Sequence, residues 1–286
     1  GGPTGMAAAY FLARAGVPVT LFEQADRLGG IVRQVIPAFR ISDDAINKDA
    51  ALLERMGADI RCGAPAPSAT ELKEMGYTHI LLAVGAWKPG TLNVPGNVKP
   101  VISWMKDIKE GKAEELGHVA VIGGGNTAMD AARLALRIGA KSSTLVYRRT
   151  KKYMPADAEE LELAMADGVQ FLELVSPVAQ KDGRLLCRKM VLGEPDASGR
   201  RRPLETDETL ELPCDTVISA VGENVDDAFL AANGVFVDQK GHPNFANGCI
   251  YTAGDTLRGP ATVVEGIADA ARFAEAVLGE QHSFDV

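Results

Sequence analysis

The sequence has no two cysteines close enough to do redox or metal chemistry together. Cys62, Cys187, Cys214 and Cys249 lie far apart and form no C-x-x-C pair, which excludes a local iron–sulfur or zinc motif and a vicinal redox disulfide. They read as structural thiols of a reducing compartment, where free cysteine packs as a small hydrophobe. His79, His118, His242 and His282 show no ligand spacing either, so no metal site is expected. No apolar run approaches the roughly 18 residues that a membrane helix needs, and no signal-type segment opens the chain. The expectation is a cytoplasmic protein with no membrane contact. Positive charge is in deficit: the formal net charge is −8, so the surface as a whole repels nucleic acid, and an anionic ligand has to be held locally.

What is present is ordinary in amount and unusual in placement. The 286 residues, 46% hydrophobic and 24% charged, suit a soluble globular chain of about two domains. Glycine is in excess, with 30 residues. The chain opens inside a motif: Gly1-Gly2-Pro3-Thr4-Gly5 runs into an alanine-rich helix ended by Gly16, and VPVTLFE, residues 17–23, reads as a strand closed by an acid. A first strand is expected upstream of this turn. Residues 44–56 have helical period and 59–62 read as a strand, while THILLAV, residues 78–84, looks like a buried parallel strand ending at Gly85. Pro89, Gly90, Pro95, Gly96 and Pro100 then cluster as a crossing between domains.

After a helix expected near 103–115, a second strand–turn–helix begins at His118. Its strand 118–122 leads into Gly123-x-Gly125-x-x-Ala128 and a helix, and the next strand, 144–148, ends in Arg148-Arg149. Residues 157–166 read as helix and 169–191 as alternating strand. Residues 194–203 read as an exposed hairpin tip whose Arg200, Arg201 and Arg202 are solvated loop charges by default, with a binding role as the alternative. CDTVISAV, residues 214–221, is a buried strand ending at Gly222. The last segment runs from strand 248–253 through Gly254-Asp255 into a small-residue helix, 262–278.

A helix N-terminus offers unpaired N–H groups and the positive end of its dipole, so a strand that turns tightly into a helix makes a pyrophosphate site. In the second unit Gly123 would make the turn, Gly125 would admit the phosphate, and Ala128 would let the helix pack on the strand. Arg148 and Arg149 come about 25 residues after Gly123, near the position where an acid would select an unphosphorylated ribose and a cation a 2′-phosphate. A guanidinium fork suits phosphate oxygens, which favours NADPH over NADH. The first unit has the opposite signature: Gly2-x-x-Gly5 with Glu23 about 20 residues on, placed for an adenosine ribose without phosphate, which suits FAD. Asp255 is placed for a ribitol hydroxyl, or serves as a turn cap, and the helix start at Thr262 and Val263 for the flavin's pyrimidine edge.

The succession GGPTGMAAAYFLARAG, Leu28-Gly29-Gly30 leading into IVRQVIPAFRISDDAI, VAVIGGGNTAMDAARLALRIGA, YRRTKKYMPADAEELELAMADGV and AGDTLRGPATVVEGIADAARFA resembles the small (beta) subunit of NADPH-dependent glutamate synthase and its relatives. The VIPAFRISDDAI wording looks most like the flavoprotein segment of selenate-reductase-type iron–sulfur proteins. The resemblance implies an α/β chain of two Rossmann-like domains of the pyridine nucleotide-disulfide oxidoreductase type, an NADPH domain at 101–224 inserted into an FAD domain made of 1–100 and 225–286. By it Gly2, Pro3, Thr4, Gly5, Glu23, Gly30, Arg33, Gly85, Gly254, Asp255, Thr262 and Val263 fall to FAD, and Gly123, Gly125, Asn126, Thr127, Arg148, Arg149 and Gly222 to NADPH. Arg33 and Arg40 are equally open to ordinary salt bridging and to a flavin or partner contact.

The implied activity is hydride transfer from NADPH to FAD, then electron transfer to [4Fe–4S] clusters held by a segment N-terminal to this fold or by a partner iron–sulfur domain or larger catalytic subunit. The cofactors carry the chemistry, so no catalytic side chain is assigned. The absence of C-x-x-C argues against disulfide reduction of the thioredoxin reductase kind. Two other readings stay open: a reductase of a small diffusible acceptor, and a nucleotide-binding scaffold without turnover.

Overall fold

The computed structural model describes residues 1–112, 114–196, 199–238 and 243–279; His242 and His282, read above for ligand spacing, lie outside them. The chain is α/β, as expected, and divides into two compact units, Gly1–Lys88 with Glu223–Val286, and Pro89–Gly222. The second is thus inserted between the two segments of the first. The first crossing, between Lys88 and Pro89, opens the proline and glycine cluster, and the end of that cluster, Val98–Pro100, is a strand of the inserted unit paired in parallel with Thr216–Ser219. None of the helices among the described residues is long and apolar enough to cross a membrane.

In the first unit, helix Pro3–Arg14 starts directly after Gly2. Pro3 stands at the first helical position, where its fixed φ is preorganised and its missing N–H costs nothing. Two parallel strand pairs form separate sheets: Thr20–Glu23 with Asp59–Cys62, and Ile80–Leu82 with Ile250–Thr252, which is itself flanked by antiparallel Ala246–Asn247. The strand expected over 78–84 is shorter than its apolar run. Only Ile80–Leu82 is paired, and Val84 is 44% exposed.

What joins the two ends of the chain is the packing of Pro3–Arg14 on helix Val263–Leu278. Ala8, Phe11 and Leu12 meet Ala270, Ala271, Phe273 and Ala274 in one buried cluster, with Leu81 and Tyr251 of the second sheet against it. Where the helices begin, the approach is closer still. A Cβ on Gly266 would lie 2.4 Å from Thr4 Oγ1, and one on Gly254 would lie 2.3 Å from the same oxygen. Thr4 is therefore seated between two glycines from the other end of the chain.

The inserted unit is a five-stranded parallel sheet in the order Val98–Pro100, Thr216–Ser219, His118–Ile122, Ser142–Tyr147, Gln170–Glu173. Val119, Ala120, Val121, Leu145, Val146, Val217 and Ile218 are buried, as near-continuous apolar runs in a sheet covered on both faces should be. Helices Val101–Lys109, Asn126–Arg137 and Ala158–Ala166 accompany it; the first ends short of the expected residue 115, ahead of Gly111 at φ 82°. A three-stranded antiparallel sheet, Val175–Lys181, Arg184–Pro195 and Arg201–Pro213, adds Leu185, Cys187 and Leu212 to the core beside Ala120, Val146 and Val217.

The wedge at Thr4 makes a stability prediction. Gly266→Ala should destabilise the protein by about 1–3 kcal/mol through overpacking, although alanine is the better helix former. In a Thr4→Ala background, where Oγ1 is gone, the same substitution should cost nothing or stabilise. Denaturant melts of the four proteins measure the coupling; equal effects of Gly266→Ala in both backgrounds would refute the wedge.

Candidate functional site

The glycine turn of the inserted unit sits where two parallel strands end together, with Ile122 opposite Val146. Each of its glycines has a different reason to be glycine. A Cβ on Gly123 would stand 2.2 Å from the Ala220 carbonyl oxygen, and one on Gly124 would stand 2.5 Å from the Tyr147 ring. A Cβ on Gly125 would meet nothing within 4 Å. Gly125 caps helix Asn126–Arg137 without any side-chain hydrogen bond, and the amides of Asn126 and Thr127 have no intrahelical acceptor. Ala128 is fully buried beneath them. The turn thus presents donors and the positive end of a dipole to open space, which fits a dinucleotide pyrophosphate.

Other residues of this turn have structural partners. The Asn126 Nδ2 donates to Asp157 Oδ2 at 3.3 Å and its Oδ1 accepts from the Asp157 N–H at 3.2 Å, tying the turn to the next helix. The Gly124 carbonyl accepts from the Ala156 N–H at 3.0 Å. Gly222, at φ 110°, has open space at its Cα, and its carbonyl accepts from Gly90 N–H at 2.7 Å. Past the end of strand Ser142–Tyr147, Arg148 is exposed, while Arg149 Nε donates to the Arg201 carbonyl at 3.1 Å. Both line a cavity of about 470 Å³ shared with Ser176, Met190, Arg202 and Glu205.

In the first unit, Gly2 and Gly30 pack backbone on backbone: Gly30 is at φ 53°, and a Cβ there would lie 2.6 Å from Gly2 Cα. Gly5 lies in ordinary contact with Ala83. The Glu23 carboxylate at the strand tip is 9% exposed; it accepts from the Ala25 N–H at 2.8 Å and lies 3.1 Å from the Gly1 amino group. Arg33 is turned inward. Its Nε donates to the Leu28 carbonyl and its Nη2 to Asn47 Oδ1 at 2.8 Å, with Asp43 3.7 Å from Nη1. Gly85, at φ 78°, donates its N–H to the buried Thr256 hydroxyl at 2.8 Å.

The C-terminal turn is held by an ion pair between a buried carboxylate and an exposed guanidinium. Asp269, 1% exposed, takes both Arg258 donors at 2.7 and 2.6 Å and the Gly254 N–H at 3.1 Å. Asp255 opens the short helix Asp255–Arg258 and accepts from the Ala261 N–H at 3.1 Å. Burial pushes its carboxyl up, with Glu265 adding to the effect. Thr262 caps helix Val263–Leu278 reciprocally with Glu265, whose carboxyl the Thr262 N–H and hydroxyl hold below the usual range. Beyond this cap Val263 and Val264 are exposed, an apolar step suited to the face of an aromatic ring.

Sequence reading passed over Gly124, Asp269 and Glu223, and took Arg202 for a solvated loop charge. Gly124 was hidden among three consecutive glycines, Asp269 inside a helix, and Arg202 in a hairpin. Glu223, directly after Gly222, has a buried Oε1 without a hydrogen-bond partner. Burial, with Asp255 adding to it, pushes its carboxyl up.

The cysteines are all free. Burial pushes the Cys187 thiol up to about 12 and the Cys214 thiol up to about 11, which makes both poor nucleophiles. Cys62, though exposed, is also pushed up, by desolvation first and then by Glu23.

The sequence profile of the pyridine nucleotide-disulphide oxidoreductases matches residues 1–270. The chain belongs to that family. It is an oxidoreductase of the class that binds a flavin and a pyridine nucleotide in Rossmann-like domains. Among its relatives, "Putative oxidoreductase YgfK" of Escherichia coli K12 is 42% identical across 98% of this chain and 28% of that protein. The "Putative glutamate synthase [NADPH] small chain" of Cereibacter sphaeroides is 31% identical across 97% of this chain and 74% of its own length, so the resemblance read from the motifs holds. Of solved structures, Mycobacterium tuberculosis FprA in complex with NADPH superposes with a TM-score of 0.78 at 21% identity, covering 97% of this chain and 82% of FprA, which shows the shared fold. The chain spans a little over a quarter of YgfK's length.

The Glu223 carboxyl sets a pH dependence. A carboxyl that holds its proton more tightly when folded than when unfolded favours the fold at low pH, and that contribution is lost as pH rises from the ordinary carboxyl range through the raised value. Glu223→Gln removes the buried charge. It should melt about 2–4 °C higher than the parent at pH 8, the shift expected for about 1 kcal/mol, with the difference shrinking toward pH 4. Thermal melts across that range check it; a pH-independent difference would contradict the assignment.

Proposed function

We propose that this chain is the FAD and NADPH module of a larger electron-transfer enzyme of the glutamate synthase small-subunit kind. In this reading the inserted unit holds NADPH, the first unit holds FAD, and the partner is an iron–sulfur domain or a larger catalytic subunit. When bound, the two cofactors would supply the chemistry, hydride transfer from nicotinamide to flavin and one-electron transfer onward to iron–sulfur clusters. The observation that carries the reading is the uncapped helix start at Gly125, open where a pyrophosphate would lie and flanked by the exposed Arg148.

The chain's own residues bind and orient. Gly123 and Gly124 hold the turn close to Ala220 and Tyr147, the amides of Asn126 and Thr127 donate to pyrophosphate oxygens, and Arg148 meets the 2′-phosphate as a charge-assisted donor. In the first unit Gly2, Pro3, Thr4 and Gly5 start the helix that faces the FAD pyrophosphate, Asp255 accepts from the ribitol, and Val263 lies against the ring. The Glu23 carboxylate, which accepts from the Ala25 N–H at the strand tip, is the acceptor for ribose hydroxyls. Weakly acidic free thiols and no C-x-x-C support iron–sulfur rather than disulfide acceptors, and they suit a reducing compartment such as the cytoplasm.

Gly125→Val should abolish NADPH binding and leave the melting temperature within a degree or two, since the added atoms meet solvent in the free protein and phosphate in the complex. Retained affinity would discredit the turn. Replacing Arg148 by alanine and Arg149 by glutamate should shift preference toward NADH by about 10- to 100-fold, the loss of a charge-assisted contact. The measurement is anaerobic bleaching of the flavin band near about 450 nm by each coenzyme. A protein without yellow colour would favour a scaffold, and fast turnover with a small acceptor alone would favour a diffusible-acceptor reductase.

A further inference from the structure

Arg202 is separated from the strand tip by more than fifty residues of sequence, yet it lines the same cavity as Arg148 and Arg149. Three features put it there. Arg149 Nε donates to the Arg201 carbonyl, so the tip of one sheet grips the outer strand of the other at the residue before Arg202. The hairpin register shifts between Leu192 and Pro195, and such a bulge bends its strand. Within the bulge, a Cβ on Gly193 would stand 3.1 Å from Leu204 and 3.4 Å from the Arg202 carbonyl, so the two strands run close together at this point. The turn itself is closed by Arg200 N–H to Asp196 Oδ1 at 3.0 Å and Asp196 N–H to the Arg200 carbonyl at 2.9 Å. The one acid on the cavity wall, Glu205, is answered from its own sheet by Arg188 at 3.4 Å, which leaves the three arginines as the cavity's net charge.

We infer that Arg202 is a specificity-determining residue: it is the second arm, opposite Arg148, of a clamp on the 2′-phosphate of the NADPH adenosine. The inference rests on the proposed NADPH reading of this unit and extends it to a residue on a different sheet. A doubly charged phosphate monoester needs more than one guanidinium to replace its water, and Arg149 has already committed Nε to the hairpin backbone. The wall between the arginines is apolar at Met190 and Leu204, which suits the edge of an adenine. Gly125 takes the pyrophosphate, so the cavity's place beyond the second strand tip is that of the ribose.

The test is calorimetric titration of the whole protein with 2′,5′-ADP and with 5′-AMP, which differ in the 2′-phosphate alone. Arg202→Gln should weaken 2′,5′-ADP by about 10-fold or more and leave 5′-AMP unchanged, while Arg202→Lys should recover part of the loss. Arg148→Gln should behave like Arg202→Gln. If Arg148→Gln loses 2′,5′-ADP and Arg202→Gln does not, the NADPH reading stands and the clamp is wrong. If the parent protein binds the two nucleotides equally, or if Gly125→Val binds 2′,5′-ADP like the parent, the NADPH reading itself fails and takes the clamp with it.

Discussion

Close approach of bare backbone organises this chain. At Gly123 the limiting neighbour is a carbonyl oxygen 2.2 Å from where a Cβ would be, at Gly30 it is the Cα of Gly2 at 2.6 Å, and at Gly254 and Gly266 it is the Thr4 hydroxyl at 2.3 and 2.4 Å. These are distances that a Cβ does not reach, and at Gly30 and Gly254 a positive φ adds a second reason for glycine. The consequence is local precision. Each contact sets the start of a helix, and the start of a helix is where unpaired amides are available to an anion. Gly125 differs from all of these because nothing stands near it. A glycine required by no protein neighbour, at the head of a helix with no capping side chain, is the position where a ligand would be the neighbour.

The two units solve the same problem with opposite charge at the second strand tip. In the first unit that tip carries Glu23, a carboxyl acceptor that takes the Ala25 N–H. In the inserted unit it carries Arg148 and Arg149, with no acid at the tip. A phosphate monoester would be repelled from the first and drawn to the second, so a −8 chain still offers one concentrated cationic pocket. That division follows from a handful of residues, and the sheets behind them share one parallel plan.

Much of this was legible from spacing because it is local. The strand over Asp59–Cys62 and the helix starting next to Thr262 appear where period and breakers put them, and the Gly123 turn joins the strand and helix that its motif demands. What was hidden is long-range. No period in the sequence says that Val98–Pro100 will pair with Thr216–Ser219, so the proline-rich stretch reads as a linker when its end is an edge strand. Residues 78–84 read as a fully buried strand, yet only three are paired, because burial of an apolar run depends on neighbours that the run does not specify. Arg200–Arg202 read as solvated because Pro, Gly and Ser surround them. Only the bulge and the Arg149 bond, both tertiary, turn Arg202 toward the strand tip.

The carboxylates near the C-terminal turn show how such a site differs from ordinary structure. Asp269 is buried and fully answered: a guanidinium grips both oxygens and an amide adds a third bond. Glu223 and Asp255 are half-buried and only partly answered, with one amide on Asp255 and a buried, unpartnered oxygen on Glu223. A fold selected for stability alone would replace Glu223 by an apolar residue or supply it with a donor, since an unanswered buried acceptor costs about 1–3 kcal/mol. Retaining two acceptors side by side, both inclined to keep a proton, makes a surface that can donate as well as accept. Hydroxyl-rich ligands such as a ribitol chain need that combination, whereas an anion would be turned away. In the proposed reading the same chain prepares amides and guanidiniums for phosphate and half-satisfied carboxyls for neutral hydroxyls, and it bears the cost of the second in stability.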